Sequence, residues 1–301
     1  MLFLFFKVTD DLILTNNQVI LFAYFLFPNY FCIRYCKSED YWFFQNQKRM
    51  LNSTDLQNYI DNFYGYGNFH GDYWFIGIEE DGGKVERDVQ SRIDSWFNLG
   101  SINLIDNGIH HHNIGNDKFF RPNDILQQIW DKLIVVYAIL IGYNPNLTAD
   151  RKEIQRADWG RIDSNNCLIK LFPLPSPNSN VWNYNNWSSL PFLSNREIYK
   201  IHIVDSRVTF IQDKIALYSP RLVLMYGDKY IQYWNRLAFP FINEWHQERI
   251  QNSHWKYYLQ NGTLFVVTPH PIGVYSYEFW KQVGNRIIEE MPEIIKNPIW
   301  V

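Results

Sequence analysis

Four times along the chain a short apolar run breaks off in glycine, proline or acidic residues, with stretches of helical periodicity between the runs. The first is Tyr73-Trp74-Phe75-Ile76-Gly77-Ile78, which stops at Glu79-Glu80-Asp81-Gly82-Gly83. The second, Cys167-Leu168-Ile169-Lys170-Leu171-Phe172, stops at Pro173-Leu174-Pro175-Ser176-Pro177, where proline cannot continue a ladder. The third is Leu222-Val223-Leu224-Met225-Tyr226, closed by Gly227, and the fourth is residues 263–268, closed by Pro269-His270-Pro271. Strands apolar on both faces and alternating with helices predict an α/β fold with a parallel sheet covered on both sides. The expected architecture is three layers, α/β/α, around a central four-stranded parallel sheet.

The spacing predicts the helices as well. Val85, Val89, Ile93, Trp96 and Phe97 recur at helical intervals before Gly100. Pro122-Asn123-Asp124 is expected to open a long helix through Ile125, Ile129, Leu133, Val136 and Leu140. Val208, Ile211 and Ile215 share one face of a helix over residues 207–218, and further helices are expected over 229–237 and 277–295. Residues 255–259, Asn261-Gly262 and 263–268 read as a strand, a turn and the fourth core strand. An apolar share of 47% in 301 residues is ample for such a core, and the 18% of aromatic residues is put down to packing.

Residues 1–49 do not share this pattern. They have no clean helical or alternating period, and the apolar run over 19–27 is far short of the roughly 20 residues a membrane span needs. Asp10 and Asp11 and the lack of a small-residue cleavage site fit a signal peptide poorly. The expectation is an extension upstream of a natural start at Met50, with a membrane-touching arm as the competing reading. Residues 50–301 then form the one α/β domain. Cys32, Cys36 and Cys167 imply no disulfide framework and no metal pair, which places the chain in a reducing compartment, the cytoplasm. Residues 1–49 hold five Lys/Arg and four Asp/Glu, so residues 50–301 carry 23 against 27, or −4. Such a domain gains nothing from its overall field when it approaches a nucleic acid.

In a parallel sheet the ligand site lies beyond the carboxyl ends of the strands. Glu79, Glu80 and Asp81 crowd one such end, where mutual repulsion is expected to raise at least one pKa, and Gly82-Gly83 is expected to let the backbone approach a ligand. The proline loop after the second run is a candidate pocket wall. His270, held between two prolines, is a candidate donor to a polarised oxygen. His110-His111-His112 is read as a loop whose adjacent imidazoles point different ways, so no metal site is expected. There is no Gly-x-Ser-x-Gly elbow and no phosphate-binding loop.

Taken together, the four strand ends resemble the uracil-DNA glycosylase superfamily over roughly residues 70–295. Phe75-Ile76-Gly77-Ile78-Glu79 looks like that family's first motif, and Val267-Thr268-Pro269-His270-Pro271 like its last. Lys170-Leu171-Phe172-Pro173-Leu174-Pro175 resembles the stretch after the second strand. The resemblance implies hydrolysis of an N-glycosidic bond through an oxocarbenium-like sugar, releasing a base from DNA or a nucleotide. Glu79 would hold the attacking water and His270 would stabilise the leaving base. Gly77, Ile78, Glu80, Asp81, Lys170, Phe172, Pro173 and Pro271 would bind the substrate, and Tyr275 would lie near the interrupted strand. Two departures stand out. Glu80 replaces the proline of the first motif, and Lys170 replaces the base-reading Asn, with no acceptor to offer a pyrimidine edge. No metal, cofactor or membrane partner is expected. The alternative is a non-catalytic nucleotide or nucleic-acid binding module of the same fold.

Overall fold

The computed structural model describes residues 50–121, 125–178, 180–274 and 276–295, with four short strands before residue 25. The chain divides into two units, Met1–Arg49 and Met50–Val301. In the first, Lys7–Val8 pairs with Ala23–Tyr24, and Ile13–Thr15 with Gln18–Ile20, both antiparallel. Cys32 and Cys36 lie outside the described residues.

The second unit is α/β. Its strands are β1 (Gly65–Gly67), β2 (Tyr73–Gly77), β3 (Leu104–Ile105), β4 (Asn166–Lys170), β5 (Leu222–Tyr226), β6 (His246–Ile250), β7 (Ser253–Gln260) and β8 (Thr263–Thr268). They form one eight-stranded sheet in the order β6-β7-β8-β5-β2-β4-β1-β3. The expected four-stranded sheet is therefore a part of a larger, mixed one. Its four strands, β8, β5, β2 and β4, do pair in parallel at the middle. The β6–β7 hairpin extends one side antiparallel, and β1 pairs antiparallel with β4 on the other. The strand expected over residues 255–259 is β7, turned into β8 at Asn261-Gly262, whereas the other three added strands escape a search for apolar runs. β1 and β3 have three and two residues, and β6 is largely exposed.

Helices cover both faces of the sheet. Tyr73 and Phe75, on one face of β2, both meet Tyr137 of α4 (Gln128–Leu140) edge-on. Trp74, on the other face, meets Phe69, which in turn meets Phe210 of α7 (Arg196–Tyr218). Around these lie α1 (Ser53–Asn62), α2 (Glu86–Asn98), α3 (Asn107–Asn113), α5 (Thr148–Ala157), α6 (Tyr184–Trp187), α8 (Ile231–Ala238) and α9 (Tyr277–Glu290). The helix expected to open at Pro122 opens instead at Gln128. Gln127 caps it, its side-chain oxygen accepting from the N–H groups of Ile129 and Trp130 at 2.7 Å each. Residues 122–124 lie outside the described residues. The expected 207–218 helix begins earlier, at Arg196, with Asn195 as its cap. The triple histidine lies on α3 and not in a loop. Among the described residues no helix is long and apolar enough to cross a membrane.

Arg207 of α7 ties the end of β4 to the end of α1. Its guanidinium donates to the carbonyls of Lys170 (2.8 Å), Leu171 (3.0 Å), Phe63 (2.8 Å) and Ile60 (3.3 Å). It lies 3.4 Å from the Tyr64 ring centroid and is fully buried. Those carbonyls lie in the last turn of α1, at the last residue of β4 or just past either end, so Arg207 is the donor that keeps them satisfied. Arg207→Met is expected to cost at least about 3 kcal/mol, since several buried acceptors lose a charged donor at once. Urea unfolding of the two proteins measures this.

Candidate functional site

The parallel pairing sets four strand ends side by side: Gly77 opposite Lys170 in the β2–β4 ladder, and Thr268 opposite Tyr226 in the β8–β5 ladder. A Cβ on Gly77 would fall 2.1 Å from the Tyr226 hydroxyl, so only glycine leaves room for that phenol across the sheet. The Tyr226 hydroxyl in turn accepts a hydrogen bond from Lys170 Nζ at 3.1 Å. The His270 ring lies 5.8 Å, centroid to centroid, from that of Tyr226. One phenol thus links three of the strand ends.

Beyond these ends lie two adjoining cavities. The outer one, of about 560 Å³, is lined by Ile78, Glu79, Glu80, Asp81, Ser176, Tyr230 and His270 among others. The inner one, of about 290 Å³, shares Glu79, Glu80, Asp81, Lys118, Phe119 and Gln127 with it and adds Lys170, Arg92, His111 and Trp130. Six of the expected site residues, Ile78, Glu79, Glu80, Asp81, Lys170 and His270, therefore line a cavity. Gly77, Phe172, Pro173 and Pro271 are not among the lining residues. Gly77 serves Tyr226, and the fully buried Phe172 packs edge-on against Tyr233, 5.4 Å away. Tyr275 lies outside the described residues.

The three neighbouring carboxylates do not govern one another by repulsion as expected. Each of the first two has its own arginine. Arg196 Nη1 donates to Glu79 Oε1 at 2.6 Å, and Arg92 Nη1 to Glu80 Oε2 at 2.8 Å. Burial pushes the Glu79 carboxyl above its ordinary pKa, against the pull of Arg196 and Lys200. Burial pushes Glu80 the same way, but Arg92, Lys170 and His111 outweigh it and hold that carboxyl below the ordinary value. Asp81 is exposed. Glu79 Oε2 is buried and has no hydrogen-bond partner among the described residues, so it remains able to accept from a water or a hydroxyl.

Arg196 also anchors the proline loop. Its Nη2 donates to the carbonyls of Asn178 (2.8 Å) and Val181 (2.6 Å) and to the Ser176 hydroxyl. The loop forms part of the outer wall, as expected, through Ser176 and Pro177. Gly82 and Gly83 pack closely against protein groups. A Cβ on Gly82 would meet Arg92 Nη2 at 2.6 Å, and one on Gly83 the Pro175 carbonyl at 2.5 Å. Both have positive φ. These glycines let the chain close over protein groups, and Gly82 also lines the inner cavity.

Two imidazoles face the cavities. His270 Nδ1 accepts from the Ile272 N–H at 3.3 Å, so its Nε2 carries the proton. Burial, together with Lys170 and Lys229, lowers its pKa to about 4, against the opposing pull of Asp228. The ring is neutral at pH 7, and its Nε2–H is a donor. His111 is the reverse case. Its Nδ1 lies 2.9 Å from the Asn107 carbonyl and must donate to it, leaving Nε2 as an acceptor. Burial lowers this pKa also to about 4, although Glu80 raises it. His111 was set aside in the sequence because neighbouring imidazoles diverge. They do diverge: His110 turns to Ser95 at 3.0 Å, and that divergence is what leaves His111 at the cavity. Among the described residues no group of three or more His, Cys, Asp or Glu side chains could hold a metal ion.

Phe119 and Trp130 wall the inner cavity, with ring centroids 5.6 Å apart and planes at 63°. His111 meets Trp130 edge-on at 5.2 Å. The arrangement is a polar end of Lys170, Glu80 and His111 beneath an aromatic corner, suited to a flat heterocycle.

The chain matches no family model and no curated protein.

The imidazoles carry a pH signature. In the unfolded chain each titrates near 6.5. In the folded chain His111 and His270 stay neutral down to about pH 4. Between those values the unfolded state binds more protons, so the contribution of these rings to stability falls as the pH drops from about 6.5 to about 4. A proton–nitrogen NMR titration is expected to find both rings neutral at pH 5.5. A midpoint near 6.5 for His270 would mean that its ring is solvated and not enclosed.

Proposed function

We propose that the strand-end cleft binds a nucleobase in the inner cavity and its sugar in the outer one, and hydrolyses the N-glycosidic bond between them. The reading follows the resemblance to uracil-DNA glycosylases, whose three-layer, parallel-centred arrangement it extends to this protein. One observation carries it: Glu79, beyond the end of β2, and His270, beyond the end of β8, line the same outer cavity, which adjoins an aromatic-walled inner one. In such a cleft the bond from sugar to base lengthens first, leaving positive charge on the sugar and negative charge on the base. His270 donates its Nε2–H to the leaving base, and a neutral imidazole does so without giving up the proton beforehand. Glu79 opposes the charge on the sugar, and its unpartnered Oε2 orients a water for attack on the anomeric carbon. Lys170 takes the place of the family's Asn and places a positive charge beside the base, which favours its departure as an anion. Lys84, Lys118 and Lys229, all exposed, stand at the rim, where phosphates of a DNA strand or a nucleotide would lie.

A second reading has its own observation. Arg196 already holds Glu79 Oε1 at 2.6 Å, an arrangement that suits a binding module as well as a catalyst. The two readings part in a base-release assay on single- and double-stranded oligonucleotides carrying uracil, hypoxanthine or a mismatch, and on free nucleotides. Wild type is expected to release a base. His270→Ala and Glu79→Gln are each expected to slow release by roughly 10²–10⁴-fold, the range of acid–base and oxyanion-type contributions. Binding without release by a folded wild type would leave the module.

A further inference from the structure

The inner cavity has a hydrogen-bonding pattern of its own, and the pattern selects among bases. Lys170 is buried, and its ammonium has three N–H donors, of which Tyr226 takes one. Glu80 is an acceptor held in its charged form, with Oε2 engaged by Arg92. His111 offers Nε2, a bare acceptor because Nδ1–H is committed to Asn107. All three line the same cavity and feel one another's charge. Arg92 lines the cavity too, but its Nε donates to Asp88, its Nη1 to Glu80 and its Nη2 to the Asp81 carbonyl, so Lys170 is the donor centre and Glu80 and His111 are the acceptor centres of the polar end.

Resting on the nucleobase reading above, we infer that the inner cavity is built for a 2-amino-6-oxopurine, the guanine class, with its 6-oxo group on Lys170 and its N1–H and 2-amino group on Glu80 and His111. Guanine offers one acceptor followed by two donors along that edge, the complement of the protein's set. Hypoxanthine lacks the 2-amino donor and leaves one buried acceptor unpaired. Uracil puts a second carbonyl where the protein has an acceptor. Adenine turns an amino group toward Lys170. Each mismatch leaves a desolvated polar group without a partner, and such sites reject analogues chiefly on that ground. Phe119 and Trp130, set at an angle, offer one ring to stack on the purine and one to meet its edge. The imidazole ring of the purine would then point toward the outer cavity, where His270 can reach a ring nitrogen.

Isothermal titration of the full chain with the 5′-monophosphates of guanosine, inosine, adenosine, uridine and cytidine tests this. The guanosine nucleotide is expected to bind about tenfold or more tightly than the inosine nucleotide, since one unpaired buried acceptor separates them, and more tightly than the other three. Lys170→Met and Glu80→Gln, with melting curves to confirm folding, are each expected to weaken the guanosine nucleotide by a similar factor and to narrow its lead. Because the wild-type ranking needs no variant, misfolding of either substitution leaves the test intact. If uridine or adenosine monophosphate binds as tightly as the guanosine nucleotide, the guanine assignment is overturned while the nucleobase reading stands. If none of the five binds, the guanine assignment falls, and the nucleobase reading is decided by the base-release assay on oligonucleotides.

Discussion

The cleft exists because β2 is paired on both sides by parallel strands. Tyr73 through Gly77 matches Asn166 through Lys170 of β4, and Tyr73 through Ile76 matches Leu222 through Met225 of β5. Parallel pairing puts all carboxyl ends on one edge, and a strand with two covered faces leaves functional groups nowhere to go but past its end. The ladder stops at Gly77 and Lys170, yet the chain beyond stays buried for several residues, so its carbonyls need donors. Arg207 supplies them behind β4, and the backbone N–H groups of Leu171 and Phe172 satisfy the carbonyls of Gly77 and Ile78 at 2.9 and 2.8 Å. The rigid floor of the cavities rests on these bonds.

Charge on that floor is arranged in pairs. Two carboxylates on successive residues, Glu79 and Glu80, point to different arginines, Arg196 on α7 and Arg92 on α2. Since neighbouring side chains leave an extended chain on opposite sides, the alternation itself separates them. Glu79 is tied through Arg196 to the proline loop, while Glu80 is tied to Arg92 and feels the charge of Lys170, and both carboxylates line both cavities. Removing one arginine would strand a buried carboxylate, which costs far more than the pair contributes while intact. The pairs therefore fix geometry more than they add stability.

What the sequence made legible was set by how local each signal is. The four central strands could be read because burial on both faces makes their residues continuously apolar, as in Leu222-Val223-Leu224-Met225-Tyr226. The strand ends followed, and with them Glu79, Glu80, Lys170 and His270. β1 and β3 could not be read: Gly65-Tyr66-Gly67 has no periodicity, and its place is fixed by pairing with β4, about a hundred residues on. The start of α4 was misread because proline followed by Asn-Asp is a local helix signal, whereas the true cap, Gln127, is held by Gln155 of α5, whose oxygen accepts its N–H at 2.9 Å. Arg92 and Arg196 lie 12 and 117 residues from their partners, so nothing in the sequence marks them as site residues. His111 is visible in the sequence only as a metal candidate, and its place at the inner cavity depends on the turn of α3 that commits its Nδ1 to the Asn107 carbonyl.

The two imidazoles show how one electrostatic setting gives opposite roles. Both are buried and both are kept neutral, and Lys170 helps to depress each. What distinguishes them is a single backbone group. A carbonyl beside His111 takes the Nδ1 proton, and an N–H near His270 points at the same atom of that ring. The first ring must then face the cavity with a lone pair and the second with a proton. Were either protonated, the distinction would vanish, for imidazolium donates from both nitrogens. Burial, aided by the charge of Lys170, thus preserves the difference between an acceptor at the inner cavity and a donor at the outer one. An Asn at that position, with no charge, would leave the rings freer to protonate. In this cleft the charge of Lys170 and the tautomers of His111 and His270 belong to the same electrostatic arrangement.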